Sequence, residues 1–338
     1  MNLKQQKLQQ MKRTFKNILP ILLLLTTAQL FAQEGDKKKE RKRYENFKER
    51  NISKTYTASG NTLNIDNRFG HVKITTWDKN EIKVDIHLET SSTDKEFTEK
   101  SFERMDVEES KDGNNINLKT ILNKGGEKNV GCNNCSNTIV VDYEIHIPAN
   151  NTLKIQNSFG DVTIPDYTGS VSLTVKYGEL IAGKLSRPEK IAVDFGKADL
   201  KSLGNIDMEF KYSKVSIGNL TGNCKLKFSF CGYSKVNLDN GLTSLTLNDS
   251  YSSVHLVPPA KLAASYTINT SYGSFVDKTD IGINRTDTPS KYGADQSRRF
   301  EGKSGAGAVK IDIKSSFGKI MIGEGTEKDM KEKKKVRT

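Results

Sequence analysis

The chain has 338 residues, 35% of them apolar and 28% charged, and a formal net charge of +12. That length is enough for one large core or two smaller ones. The charge lies in the ends: residues 1–32 carry +5, residues 33–50 carry +3 and residues 327–338 carry +3, leaving about +1 for residues 51–326. A body this close to neutral excludes a basic nucleic-acid groove.

At the N-terminus, Lys12, Arg13 and Lys16 precede an apolar run over 18–27, and Ala28-Gln29-Leu30-Phe31-Ala32 then leads to Gln33. A basic segment, about ten apolar residues and small residues at the end have the form of a secretory signal peptide, with cleavage between Ala32 and Gln33. The run is far shorter than the roughly twenty apolar residues of a membrane-spanning helix, and no second long run follows. Met11 onward is already a complete signal and is an alternative start. The first cysteine is Cys132, so no lipid-anchor cysteine stands at the junction. The mature chain is therefore expected in the periplasm or at the cell surface. Residues 33–50 are expected to be a basic flexible segment and residues 326–338 a basic disordered tail.

Residues 51–150 read as a β-rich capping section. Its phrase Asn61-Thr62-Leu63-Asn64-Ile65-Asp66-Asn67-Arg68-Phe69-Gly70 is nearly repeated 90 residues later from Asn151 to Gly160. Between the two copies the pattern predicts a strand over 81–90, then a helix over 94–105 capped by Thr93. Strands over 116–122 and 138–147 follow, separated by a polar loop over 123–137. Such a cap covers the core face and strand edge that a stack of repeats would otherwise expose.

Residues 151–325 carry the repeat. Its unit is an aromatic residue, Gly or Ser, a polar residue and an apolar one, with the aromatic at Phe69, Phe159, Tyr177, Phe195, Tyr212, Tyr233, Tyr251, Tyr272 and Phe317. From Phe159 to Tyr272 the spacings are 18, 18, 17, 21, 18 and 21 residues. Apolar residues alternate between the copies, as in Val171-Ser172-Leu173-Thr174-Val175, and a period of two marks strands with one inward face. A unit near 19 residues holds two or three short strands, so the expected fold is an all-β solenoid. The Gly or Ser after each aromatic suits a corner. The rings are expected to stack from coil to coil as core, although such a ladder can also serve as a sugar platform. Residues 277–308 break the rhythm as an irregular insertion before a strand pair over 309–314 and 319–322.

Four cysteines in an exported chain favour disulfides, Cys132 with Cys135 and either a bridge or apolar filling for Cys224 and Cys231. Zinc would need two more ligands near Cys132 and Cys135, and redox exchange a helix, so neither metal nor cofactor is expected. His87, His146 and His255 each stand between apolar neighbours on a strand and are expected to face away from the core, while His71 occupies a corner. Asp161 and Glu179 hold the same position of adjacent copies, about 5 Å apart if the copies stack, which is a separation that a retaining glycosidase uses. Lys197, Lys214 and Lys235 continue that row, so a solvated face is the simpler reading. No phosphate loop, serine elbow or calcium repeat is present.

Together the signal peptide, the duplicated Asn-Thr-Leu-x-Ile-x-Asn-x-Phe-Gly-x-Val phrase, the Thr75-Thr76-Trp77-Asp78-Lys79-Asn80 turn and the Tyr/Phe-Gly/Ser copies resemble the exported putative-adhesin family. These domains of unknown function are related to autotransporter-adhesin head-like β-solenoid proteins. The resemblance covers about residues 52–325 and implies a right-handed β-solenoid with an envelope or adhesive role. The expected function is non-catalytic, with a glycan or an envelope protein as partner. The alternative is a polysaccharide lyase or glycosidase on the same scaffold. The sequence leaves oligomeric state open.

Overall fold

Alternating apolar residues dictate strands with one inward face, and almost nothing else is built. The computed structural model describes residues 41–125, 132, 134–288 and 296–331. The expected signal, its Ala32/Gln33 junction and most of the C-terminal tail lie outside them. Twenty-one strands and two short helices make up the described part. The strands join into one large sheet that does not close on itself.

The N-terminal part runs β1 (Asn46–Thr57), β2 (Thr62–Arg68), β3 (Val72–Trp77), β4 (Glu81–Ser92), α1 (Lys95–Glu103), β5 (Asp106–Asp112), β6 (Asn115–Ile121) and β7 (Asn137–Pro148). Asn46–Arg50, expected to be flexible, forms the start of β1 because it pairs antiparallel with the end of β4. Asp94 rather than Thr93 caps α1: its side chain accepts from the Phe97 amide at 3.0 Å, while the Thr93 hydroxyl accepts from Ser136. The outermost strand β5 is almost wholly exposed and charged, a sequence that discourages further strand pairing.

Next come β8 (Thr152–Ser158), β9 (Val162–Ile164), β10 (Tyr167–Lys176), β11 (Glu179–Asp194), β12 (Lys197–Lys211), β13 (Lys214–Ser229), β14 (Tyr233–Ser250) and β15 (Ser253–Val257). The last elements are β16 (Ala264–Ser271), β17 (Ser274–Lys278), β18 (Asn284–Arg285), β19 (Ser297–Lys303), β20 (Val309–Ser316), β21 (Lys319–Gly323) and α2 (Glu327–Lys331). Part of the expected irregular insertion is thus strand: β19 pairs antiparallel with β16, and β18 with β19. The start of the expected disordered tail is helical, anchored by buried Met330.

The parallel registers set one apolar column. Ile65, Ile155, Leu173, Ile191, Met208, Leu226, Leu247, Ile313 and Ile268 face each other in that order. Each is at most 3% exposed, and burying one such side chain stabilises by about 1.5–3 kcal/mol. Along this column from Ile65 to Ile268, chain order is broken once, because β20 enters between β14 and β16. The first copy joins the same stack: β2 pairs directly with β8, Thr62 opposite Thr152.

Corners after the aromatic residues stack backbone on backbone. A Cβ added at Gly160, Gly178 or Gly196 would come within 1.9–2.0 Å of the carbonyl oxygen of the glycine one repeat earlier. Gly178→Ala is expected to destabilise by about 3 kcal/mol in urea unfolding. Gly232→Ala, where nothing lies within 4 Å, should stay within about 0.5 kcal/mol of the parent.

Candidate binding surface

Four residues beyond each member of the apolar column, the chain turns through an aromatic residue at positive φ. Phe69, Phe159, Tyr177, Phe195, Tyr212, Phe230, Tyr251, Phe317 and Tyr272 all have φ between 49° and 62°. An L-residue with a bulky side chain avoids this region, at about 1–3 kcal/mol each. The conformation lets the backbone stay in the ladder while the ring turns outward: Tyr177 donates its amide to Asp194 at 2.9 Å, and Phe195 to Lys211 at 2.9 Å. The nine rings form one unbroken stack, with centroid steps of 4.6–5.1 Å and planes within 8° of parallel.

The expectation of a core ladder is corrected, because every ring is 37–57% exposed. At about 200 Å² per aromatic side chain, the stack presents on the order of 900 Å² of ring surface, against roughly 300–600 Å² for the largest apolar patch of an ordinary monomer. What it presents is ring edges. Each inner ring has both faces covered by its neighbours, so sugars cannot stack on those faces. Phenylalanine and tyrosine alternate from Phe159 to Tyr272, which spaces the hydroxyls two steps apart along the ridge.

Tyr233 is not in the stack. Phe230 takes that place, since Phe230-Cys231-Gly232-Tyr233 carries one extra residue and moves Tyr233 onto the strand beside the corner, opposite Ser253. There the Tyr233 hydroxyl meets His255 Nδ1 at 2.8 Å, and His255 Nε2 donates to the Gly323 carbonyl at 2.7 Å. His255 alternates with the core residues Val254 and Leu256 and so leaves the core face, as expected, but it is fully buried, with the Gly323 turn bonded to it. The same extra residue puts Lys235 opposite Ser216, out of the row of Lys197 and Lys214.

Asp161 and Glu179 are neighbours across β9 and β11, as the repeat implies. The Glu179 amide donates to Asp161 Oδ1 at 2.8 Å, and His71 Nδ1 lies 3.4 Å from Asp161 Oδ2. Asp161 is therefore a corner acceptor with a histidine partner, and Glu179 is followed in the row by Lys197. His87, expected to stand alone, bonds Asn51 at 2.8 Å and approaches Glu89. Glu49, His87 and Glu89 each place one ligand atom within 4.8 Å of the others. Arg43 bridges both carboxylates and already supplies the countercharge, holding Glu89 below the usual carboxylate range. His146 packs against Trp77, ring centroids 5.3 Å apart.

A disulfide joins Cys132 and Cys135, Cα atoms 5.4 Å apart. Cys224 and Cys231 are unbridged and buried, their thiols directed to the Thr221 and Phe210 carbonyls, and burial pushes both thiols up. They fill space rather than react.

A depression lies elsewhere, where the turns after β1, β3 and β7 meet. It is a cleft of about 740 Å³ lined by Trp77, Asn61, Asn80, Asn150 and Asn151 among others. The duplicated Asn-Thr-Leu phrase and the Trp77 turn, far apart in sequence, come together there.

No family model matches the sequence, and no curated protein matches it. Several solved structures resemble it, three of which follow. A "putative cell adhesion protein" from Clostridium sporogenes is 16% identical, with 82% of this chain and 100% of that one covered and a TM-score of 0.24. A "putative adhesin" from Bacteroides fragilis is 11% identical over 81% and 97%, with a TM-score of 0.34. Another from Parabacteroides merdae is 8% identical over 84% and 99%, with a TM-score of 0.27. No helix among the described residues is long and apolar enough to cross a membrane.

Beneath the Tyr251–Phe317 step lies buried Asp249, which sequence reading passed over. Its Oδ2 accepts from Ser315 Oγ at 2.6 Å, and its Oδ1 has no partner among the described residues. Burial raises its pKa to about 6, despite the serine bonds that lower it. The folded state therefore keeps a proton that the unfolded chain releases near pH 4. This contribution is full below about pH 4 and is lost as pH rises through 6, by up to about 3 kcal/mol. Asp249→Asn should raise the urea midpoint at pH 7.5 and leave it little changed at pH 4.

Proposed function

We propose that the chain is an exported, non-catalytic, adhesin-like binding protein of the envelope or cell surface, its parallel ladder wound as a right-handed β-solenoid with coils of about 19 residues. One observation carries the binding role. Glycine takes a φ near +55° without strain, yet none of the nine ladder positions has glycine. Stacking returns about 0.5–1.5 kcal/mol per ring pair, roughly what the backbone strain takes away. Stability alone gives little reason for such a row, whereas a binding ridge does. Because the exposed part is ring edges and regularly spaced hydroxyls, the partner at the ridge is an envelope protein rather than a sugar stacked on a ring. The N-terminal signal and the disulfide support export.

The second reading, a polysaccharide-active enzyme, rests on Asp161 and Glu179. Against it stand the corner bond that occupies Asp161 and the lining of the cleft at the Trp77 turn, which includes neither residue.

Both readings are tested on the purified chain by binding to immobilised envelope membranes of the producing bacterium and by polysaccharide turnover. Saturable binding without turnover is expected, weakened at least tenfold by Phe195→Ser/Tyr212→Ser and unchanged by Asp161→Ala/Glu179→Ala. Turnover that disappears in the carboxylate variant would overturn the proposal and make the protein an enzyme.

A further inference from the structure

We infer that the cleft at the Trp77 turn is a binding site for an uncharged saccharide, distinct from the aromatic ridge. This rests on the binding-protein reading above and names a ligand class for a second site on it.

Size and chemistry agree. A cleft of about 740 Å³ falls within the roughly 300–1,000 Å³ of small-ligand sites. Trp77 is the single tryptophan of the chain and is partly exposed in the cleft wall. Its Nε1 donates to the Glu81 carbonyl at 2.7 Å, which fixes the indole and satisfies its polar tip. The ring is thus a fixed apolar wall, the surface against which the C–H face of a pyranose packs. Lys79 holds its ammonium 4.7 Å from the ring centroid on an exposed, flexible stem that a ligand can displace.

Around that wall the amides are fixed at one end and open at the other. Asn80 Oδ1 accepts from the Ser59 amide at 2.7 Å, Asn61 Nδ2 donates to the Thr57 carbonyl at 2.9 Å, and Asn151 Nδ2 donates to the Asn61 carbonyl at 2.8 Å. Asn80 Nδ2 and the Oδ1 atoms of Asn61 and Asn151 are left without partners among the described residues. Exposed Asn150 adds an amide with no described bond at either end. Donors and acceptors already held in place bind hydroxyls with little further ordering. The only charged residues in the lining are Asp78 and Lys79, of opposite sign, so the site selects neither anions nor cations. An array of neutral donors and acceptors around one aromatic wall fits a hydroxyl-rich ring without formal charge.

The single tryptophan makes the site report on itself. Tryptophan fluorescence of the purified chain is titrated with neutral cello-, chito-, manno- and xylo-oligosaccharides, with oligogalacturonate as the acidic comparison, and affinities of variants are measured by calorimetry. A saturable fluorescence change with at least one neutral series is expected, and none with oligogalacturonate. Asn150→Ala, which removes no internal bond, should weaken binding about five- to tenfold, as loss of one hydrogen bond of 1–1.5 kcal/mol implies. Trp77→Ala should weaken it more than tenfold, and Phe195→Ser/Tyr212→Ser should leave it unchanged. Absence of a saturable change with every neutral series, or binding indifferent to both Asn150→Ala and Trp77→Ala, overturns the cleft assignment. If envelope binding is still lost in the ring variant, the binding-protein reading survives that failure; if envelope binding is absent too, both fall.

Discussion

The structure depends on a recurring corner in which an aromatic residue adopts a conformation that its side chain disfavours. The strain is tolerated because three contacts over-determine it. The amide of the corner residue is held in the parallel ladder, a small residue follows where a neighbouring backbone presses close, and the ring has a ring on either side. Removing any one of these weakens the hold on a backbone at φ near +55°. Four residues upstream, the apolar column fixes the phase of each rung, so one register serves core and ridge together.

This coupling explains how one β20–β21 unit can be inserted out of chain order. β20 offers the same column residue, Ile313, and the same corner, Phe317-Gly318, as any other rung. It therefore fits between β14 and β16, and Phe317 continues the stack from Tyr251 to Tyr272. The only adjustment is beneath it, where Asp249 crowds Gly318: a Cβ there would lie 1.8 Å from Asp249 Oδ2. At this core position the earlier rungs carry Asn67, which donates to the Val141 carbonyl of β7, and Asn157, which donates to the Gly70 carbonyl at a corner, and then apolar residues up to Phe228. Asp249 is the member of the series whose charge has no internal partner.

Strand identity and most ladder residues were legible in the sequence because a two-residue alternation and a repeated aromatic-small pair are local signals. Tyr233 misled because Tyr-Ser-Lys-Val copies the motif by eye. The column residue Leu226, four before Phe230, points to the true corner, and Gly232 is the insertion that separates the two. The burial of His255 was not legible, since alternation gives its face but not the Gly323 turn bonded to it there, 68 residues away. The exposure of the rings was not legible, since the same periodicity fits an inward or an outward stack. Nor was the cleft, which is assembled from turns separated by up to 90 residues, although the duplicated Asn-Thr-Leu phrase was a usable hint.

The central claim is that stacking between adjacent corner rings balances the strain in their backbones. The pair Phe195 and Tyr212, with centroids 4.6 Å apart, tests it most directly through a double-mutant cycle of Phe195→Ala, Tyr212→Ala and both, followed by urea unfolding. A coupling energy of about 0.5–1.5 kcal/mol is expected. Single losses that add to within about 0.3 kcal/mol would show that the rings do not support one another, and would contradict the account.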